Sequence, residues 1–196
     1  NAAFDLIKGL EGVAPMYFVT GNQEIDDSDD YVRHDVKDVF RSHGVIVLEN
    51  EAQKLTINGI DLVIGGLEDP LRAYAENLHG IWEEDALVAL EDTETDEAFS
   101  ILLSHRAERV ETYAALPFDL VLSGHTHGGQ VRIPYLMNGL YAPDQGFFPK
   151  YAGGLYEHET FDHVIGRGFN YSISVPRVFN PPEIVVIDVT GTGSPL

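Results

Sequence analysis

Ser123-Gly124-His125-Thr126-His127-Gly128-Gly129-Gln130 follows directly on the apolar stretch Asp119-Leu120-Val121-Leu122, and its reading decides the fold. The apolar stretch reads as a buried strand, and two histidines one residue apart stand at its end. Alternate residues of an extended chain point the same way, so both imidazoles are expected to reach one site. The flanking glycines let the backbone turn tightly and approach a bound group. The pattern is that of a metal site.

Two other strand ends point to the same place. Met16-Tyr17-Phe18-Val19-Thr20 leads into Gly21-Asn22-Gln23-Glu24, and Phe99-Ser100-Ile101-Leu102-Leu103-Ser104 leads into His105. In α/β proteins, buried parallel strands gather their ligands outside their carboxyl ends. Residues distant in sequence are therefore expected to converge. Asn offers a hard oxygen and His a borderline nitrogen, a mixture suited to Mn, Fe, Zn or a similar divalent ion. Taken singly, a His after a strand or a Gly-Asn turn is ordinarily structural. It is the convergence of three strand ends that carries the metal reading.

Gly21-Asn22-Gln23-Glu24, Ser104-His105 and Gly124-His125-Thr126-His127, in this order, resemble the last three motifs of the calcineurin-like metallophosphoesterases. The Gly-Gly-Gln that follows resembles the bacterial phosphohydrolase branch. Arg132-Ile133-Pro134, Tyr151-Ala152-Gly153-Gly154-Leu155-Tyr156, Arg167-Gly168 and Asn180-Pro181-Pro182-Glu183 extend the resemblance over nearly the whole chain. It implies an α/β fold, part of a four-layer α/β/β/α sandwich with mixed sheets. It also implies hydrolysis of phosphomonoesters or phosphodiesters by two metal ions that stabilise attacking and leaving oxygens. Asn22, His105 and His125 would hold one ion and His127 the other. Other folds that use His-x-His fit less well. A metallo-β-lactamase has Asp-His soon after the pair, where this chain has Gly129-Gln130, and a cupin has a nearby Glu in a jelly roll.

The chain departs from the family pattern twice. Gln23 stands where the family has the histidine that protonates the leaving group or steadies the phosphate. Glutamine donates a hydrogen bond but does not titrate near neutrality, and such acid help is worth roughly 10²- to 10⁴-fold. The Asp-x-His and Gly-Asp-x-x-Asp motifs, which bring the first metal's ligands and the bridging carboxylate, are absent from the sequence. The chain opens one helix and one strand before Gly21-Asn22. The expectation is therefore a single domain over residues 1–196, amino-terminally incomplete, with impaired activity and one metal ion or none. The alternative is a non-catalytic split or decayed family member that still folds and binds one ion. Arg167 and Arg177 suit phosphate recognition as well as surface ion pairs. Gln130 is placed to orient a ligand histidine from behind. The remaining histidines, His34, His43, His79, His158 and His163, read as structural or surface residues.

Composition agrees with one globular domain: 196 residues, 44% hydrophobic and 10% aromatic. The formal net charge of −20, from 32 acids and 12 bases, argues against nucleic-acid backbone binding and against attraction to anionic membranes. Much of the excess lies in 26–30 and 83–97, both read as solvated faces. The absence of cysteine excludes disulfides and thiol chemistry. No apolar run approaches a membrane span, and the sequence leaves cytoplasm and export open. Open sheet edges predict self-association.

Along the chain, the pattern predicts helices over 3–10, 31–43, 70–77, 84–90 and 107–115. The 31–43 helix carries Val32, Val36, Val39 and Phe40 on one face. Strands are expected over 45–48, 155–159, 163–166 and 183–189. A hairpin is expected around Asn58-Gly59.

Overall fold

A six-stranded mixed sheet and a separate two-stranded parallel pair carry the candidate site at the ends of their strands. The computed structural model describes residues 2–25, 30–71, 79–169 and 176–190. In chain order the elements are α1 (Ala2–Leu10), β1 (Met16–Phe18), α2 (Asn22–Ile25), α3 (Asp30–Ser42), β2 (Val45–Val47), β3 (Glu51–Ile57) and β4 (Ile60–Leu67). There follow α4 (His79–Leu90), β5 (Phe99–Ser104), α5 (Val110–Ala114), β6 (Leu120–Ser123), β7 (Tyr141–Ala142), β8 (Gly146–Phe147), β9 (Gly154–Glu157) and β10 (Asp162–Ile165). The sheet runs β3-β4-β5-β6-β10-β9; β4, β5, β6 and β10 are parallel and the two edge strands antiparallel. β1 and β2 form a separate parallel pair, and β7 and β8 a small antiparallel one.

The hairpin turns where the sequence predicts it. Asn58 and Gly59 both have positive φ, 52° and 80°, the backbone twist that a two-residue turn between twisted strands requires. α4 begins at His79, earlier than its pattern suggests. It lays Trp82, Ala86 and Leu90, four residues apart, against Val63, Leu67, Leu102 and Val121 of the sheet. The Trp82 indole N–H reaches the Glu68 carbonyl at 2.9 Å. In the 83–97 stretch Glu84, Asp85, Glu91, Asp92 and Glu97 face solvent as expected, but Glu83 is half-buried and accepts from Arg109 at 3.1 Å.

α5 is shorter than predicted, starting at Val110. Arg109, in the capping position, offers no side-chain oxygen to the free amides of the first turn. No strand forms over 183–189. Among the described residues no neighbour pairs with this segment, and a strand needs a neighbour for its N–H and C=O groups. The helix predicted over 70–77 and the acidic run at 26–29 fall largely or wholly outside the described residues. No helix among the described residues is long and apolar enough to cross a membrane.

The two sheet faces are covered unequally. Val63, Leu102, Val121 and Ile165 are fully buried beneath the helices and loops of one face. Leu62, Ile64, Ile101, Leu103, Leu122 and Val164 point the other way and are only half-buried. His163 sits on the buried face among Tyr113, Tyr151, His158 and Phe161, with its Nε2 2.9 Å from Ser123 Oγ. Burial, and secondarily His158, push its imidazole down to about 4. The unfolded chain takes up this proton below its ordinary value of 6.5 and the native state does not. Stability is therefore lost as the pH falls from 6.5 to about 4, on the order of 3 kcal/mol for this residue. Urea unfolding at pH 7 and pH 4.5 is expected to show a smaller acid loss in His163→Phe than in the parent. Equal losses would contradict this.

Candidate metal centre

The site is assembled at the carboxyl ends of β1, β5 and β6. After β1 the chain turns at Gly21 into α2. The Glu24 carboxylate reaches back to accept the Gly21 N–H at 2.7 Å, which closes the first turn and aims Asn22 inward. Gly21 is required by close approach: a Cβ there would lie 2.8 Å from both Cε1 and Nδ1 of His105. His105 follows β5 directly, and His125 lies two residues past β6.

Three donor atoms meet. His105 Nε2 is 2.9 Å from Asn22 Oδ1, His125 Nδ1 is 3.1 Å from the same oxygen, and the two nitrogens are 3.1 Å apart. Cis ligands about 2.1 Å from a common octahedral ion lie about 3.0 Å from one another, so the triangle has the size of one face of such a coordination shell. Among the described residues no three His, Cys, Asp or Glu side chains are grouped to hold an ion; here the third donor is an amide. Burial, then the facing His125, bring His105 down to about 4, and burial lowers His125 as well. Both rings are thus neutral near pH 7 and carry lone pairs, as ligation requires.

The His-x-His segment is not extended. β6 stops at Ser123, and His125, His127, Gly128, Gly129 and Gln130 all have φ between 50° and 68°, with a single 3₁₀ turn over His127–Gly129. The pair therefore does not converge by strand alternation. His127 lines the same cavity of about 280 Å³ as Asn22, Gln23, His105 and His125 but makes no bond to the donor triangle. Asn180 fixes the turn, its amide N–H donating to the carbonyls of His127 (2.7 Å) and Gln130 (3.1 Å). Thr126 donates its hydroxyl to the Ala152 carbonyl at 2.6 Å. Gln23 is exposed at the cavity wall. Gln130 is buried, and its side-chain oxygen has no hydrogen-bond partner. Arg167 lines the cavity with its guanidinium on Glu183, and Arg177 donates to the Arg167 carbonyl at 2.7 Å.

Sequence reading missed the residues behind the triangle. Arg106 forms a two-point ion pair with Asp69, Nε to Oδ2 at 2.8 Å and Nη2 to Oδ1 at 2.9 Å, with side chains 3% and 0% exposed. Arg106 Nη1 also donates to Asp144, whose Oδ2 is 2.7 Å from His125 Nε2. Asp144 sits in the left-handed region (φ 59°) in the turn between β7 and β8, a conformation aspartate tolerates. Beside Arg106, Glu108 has both oxygens buried without hydrogen-bond partners, and burial pushes its carboxyl up to about 7. The adjacency of Arg106 to His105 was a visible signal, whereas a Pro-Asp-Gln-Gly turn ordinarily means only a turn.

Comparison with known proteins finds relatives named metallophosphoesterase and phosphodiesterase. An uncharacterised metallophosphoesterase of Campylobacter jejuni is 36% identical over 160 residues, 81% of this chain and 38% of that protein. One of Aquifex aeolicus is 31% identical over 159 residues, 80% of this chain and 55% of that protein. Phosphodiesterase YaeI of Escherichia coli is 26% identical over 196 residues, 96% of this chain and 63% of that protein. The chain belongs to the calcineurin-like metallophosphoesterase family. It spans roughly two-fifths to three-fifths of these metallophosphoesterase-family relatives. No protein-family model matches the chain, and no solved structure does.

The Arg106–Asp69 pair predicts a sharp stability effect. Asp69→Ala removes the two-point partner of a buried guanidinium, leaving Nε and Nη2 without their carboxylate, and is expected to cost about 3–5 kcal/mol in urea unfolding. A loss below about 1 kcal/mol, the scale of exposed pairs, would contradict the buried-pair account.

Proposed function

We propose that this chain carries the Asn–His–His half of a phosphoesterase metal centre. It would hold one divalent ion on Asn22, His105 and His125. It would act in metal-dependent hydrolysis of phosphomonoesters or phosphodiesters when carboxylate ligands come from outside these 196 residues. The observation that carries the reading is the triangle of donor atoms 2.9–3.1 Å apart. The names of the relatives, metallophosphoesterase and phosphodiesterase, support the reaction class and a divalent metal. Mn, Fe and Zn all suit two imidazoles and an amide oxygen.

When bound, such an ion supplies Lewis-acid polarisation of a phosphoryl oxygen. His105 contributes a neutral nitrogen from the end of β5, and His125 one from the turn after β6. His127, on the same cavity wall, is the residue proposed for a second ion, beside ligands that this sequence lacks. Gln23 can orient a phosphate by hydrogen bonding but does not deliver a proton near neutrality, so substrates with good leaving groups suffer least. Arg167 would reach a phosphate only by sharing its guanidinium with Glu183. The net charge of −20 favours small phosphoesters over nucleic-acid backbones. The half-buried face of Leu62, Ile64, Ile101, Leu103, Leu122 and Val164 supports a four-layer α/β/β/α sandwich, since a second sheet would cover it. Until it is covered, this face and the edge strands β3 and β9 favour self-association.

Calorimetric titration with Mn²⁺ is expected to give one ion per chain, lost in both His105→Ala and His125→Ala. Hydrolysis of bis-p-nitrophenyl phosphate should stay at the metal-only background. No ion bound, or an ion that survives both substitutions, overturns the site. Turnover that His125→Ala abolishes overturns the need for outside carboxylates.

A further inference from the structure

His125 has different neighbours at its two ring nitrogens, and its single proton can serve only one side. Nδ1 faces Asn22 Oδ1 and His105 Nε2, both at 3.1 Å. Nε2 faces Asp144 Oδ2 at 2.7 Å and Arg106 Nη1 at 3.3 Å. Arginine has no lone pair to offer and stays protonated. Nε2 therefore either donates to Asp144 or accepts from Arg106. The carboxylate is nearer and charged, and Arg106 Nη1 already donates to the same Asp144 Oδ2. Two donors converging on one carboxylate oxygen account for the 3.3 Å between them without a bond between them.

We propose that Asp144 is a positioning residue that holds the His125 proton on Nε2 and so keeps Nδ1 bare toward Asn22 and His105. A neutral imidazole protonates one nitrogen at a time, and the partner of the distal nitrogen decides which one ligates. Arg106 sets the position of Asp144, and Asp69 sets that of Arg106 through its two-point pair. The turn bearing Asp144 is tied down by its neighbour, since the Gln145 amide bonds both the carbonyl (2.7 Å) and the N–H (2.9 Å) of Tyr151. The arrangement also predicts what happens when Asp144 is removed. Arg106 Nη1 becomes the remaining neighbour of Nε2 in this network, Nε2 turns into an acceptor, and the proton moves to Nδ1. There it occupies the middle of the donor triangle.

This inference rests on the metal reading above but has a readout that needs no metal. Long-range ¹⁵N–¹H NMR of the metal-free chain reports the tautomer of His125, assigned by its loss in His125→Ala. The parent is expected to carry the proton on Nε2 and Asp144→Ala on Nδ1. Asp144 has a side chain 44% exposed, so the variant is expected to fold, and its amide spectrum checks this. Mn²⁺ affinity in Asp144→Ala should fall about 10- to 100-fold. A proton on Nδ1 in the parent, or the same tautomer in both proteins, overturns the proposal. If the proton shifts as expected while the parent takes up no Mn²⁺, the metal reading falls and the tautomer lock stands.

Discussion

The buried guanidinium of Arg106 is the constraint on which the rest of the site depends. Its side chain is 3% exposed and is satisfied by Asp69 on one side and Asp144 on the other. Asp69 lies just past β4, Arg106 just past β5, and Asp144 between β7 and β8, so one cation ties three segments together at the carboxyl end of the sheet. Taking a charge out of water is costly unless it is paired and hydrogen-bonded. The chain meets that condition only when these segments are in register. His105 and His125 ride on the same framework, one adjacent to Arg106 in sequence and the other bonded to Asp144.

The backbone around His125 shows the same trade of local strain for placement. His125, His127 and Gln130 adopt left-handed conformations that non-glycine residues seldom occupy. Such conformations cost on the order of 1–3 kcal/mol each and persist only where the surroundings over-determine them. Here the surroundings are identifiable: Asn180 on two carbonyls, Thr126 on Ala152, and Gly128 and Gly129 between the strained residues. A Cβ at Gly128 would lie 2.7 Å from Arg167 Cγ, so the Arg167–Glu183 pair packs directly against this turn. The strain sets the direction of the imidazoles, and the outer loops hold it in place.

Much of this was legible in the sequence where the physics is local. Asn58-Gly59 encodes its turn, the apolar periodicity of 31–43 its helix, and three strand ends with Asn and His their convergence. Parts that depend on partners were not legible. The strand expected at 183–189 has the right composition, but a strand also needs a neighbour, and none of the described residues provides it. The two histidines of His-x-His reach one cavity by a route that alternation did not foresee, through positive φ rather than extension. Asp144 was invisible because its role is defined by Arg106, 38 residues away, and not by its own turn.

The central claim is that Asn22 Oδ1, His105 Nε2 and His125 Nδ1 form one face of the coordination shell of a divalent ion. Anomalous diffraction from crystals of the chain grown with Mn²⁺ tests it most directly. The account predicts one strong peak within bonding distance of all three atoms. A peak placed instead among surface carboxylates, or none beside this triangle at saturating Mn²⁺, would contradict it.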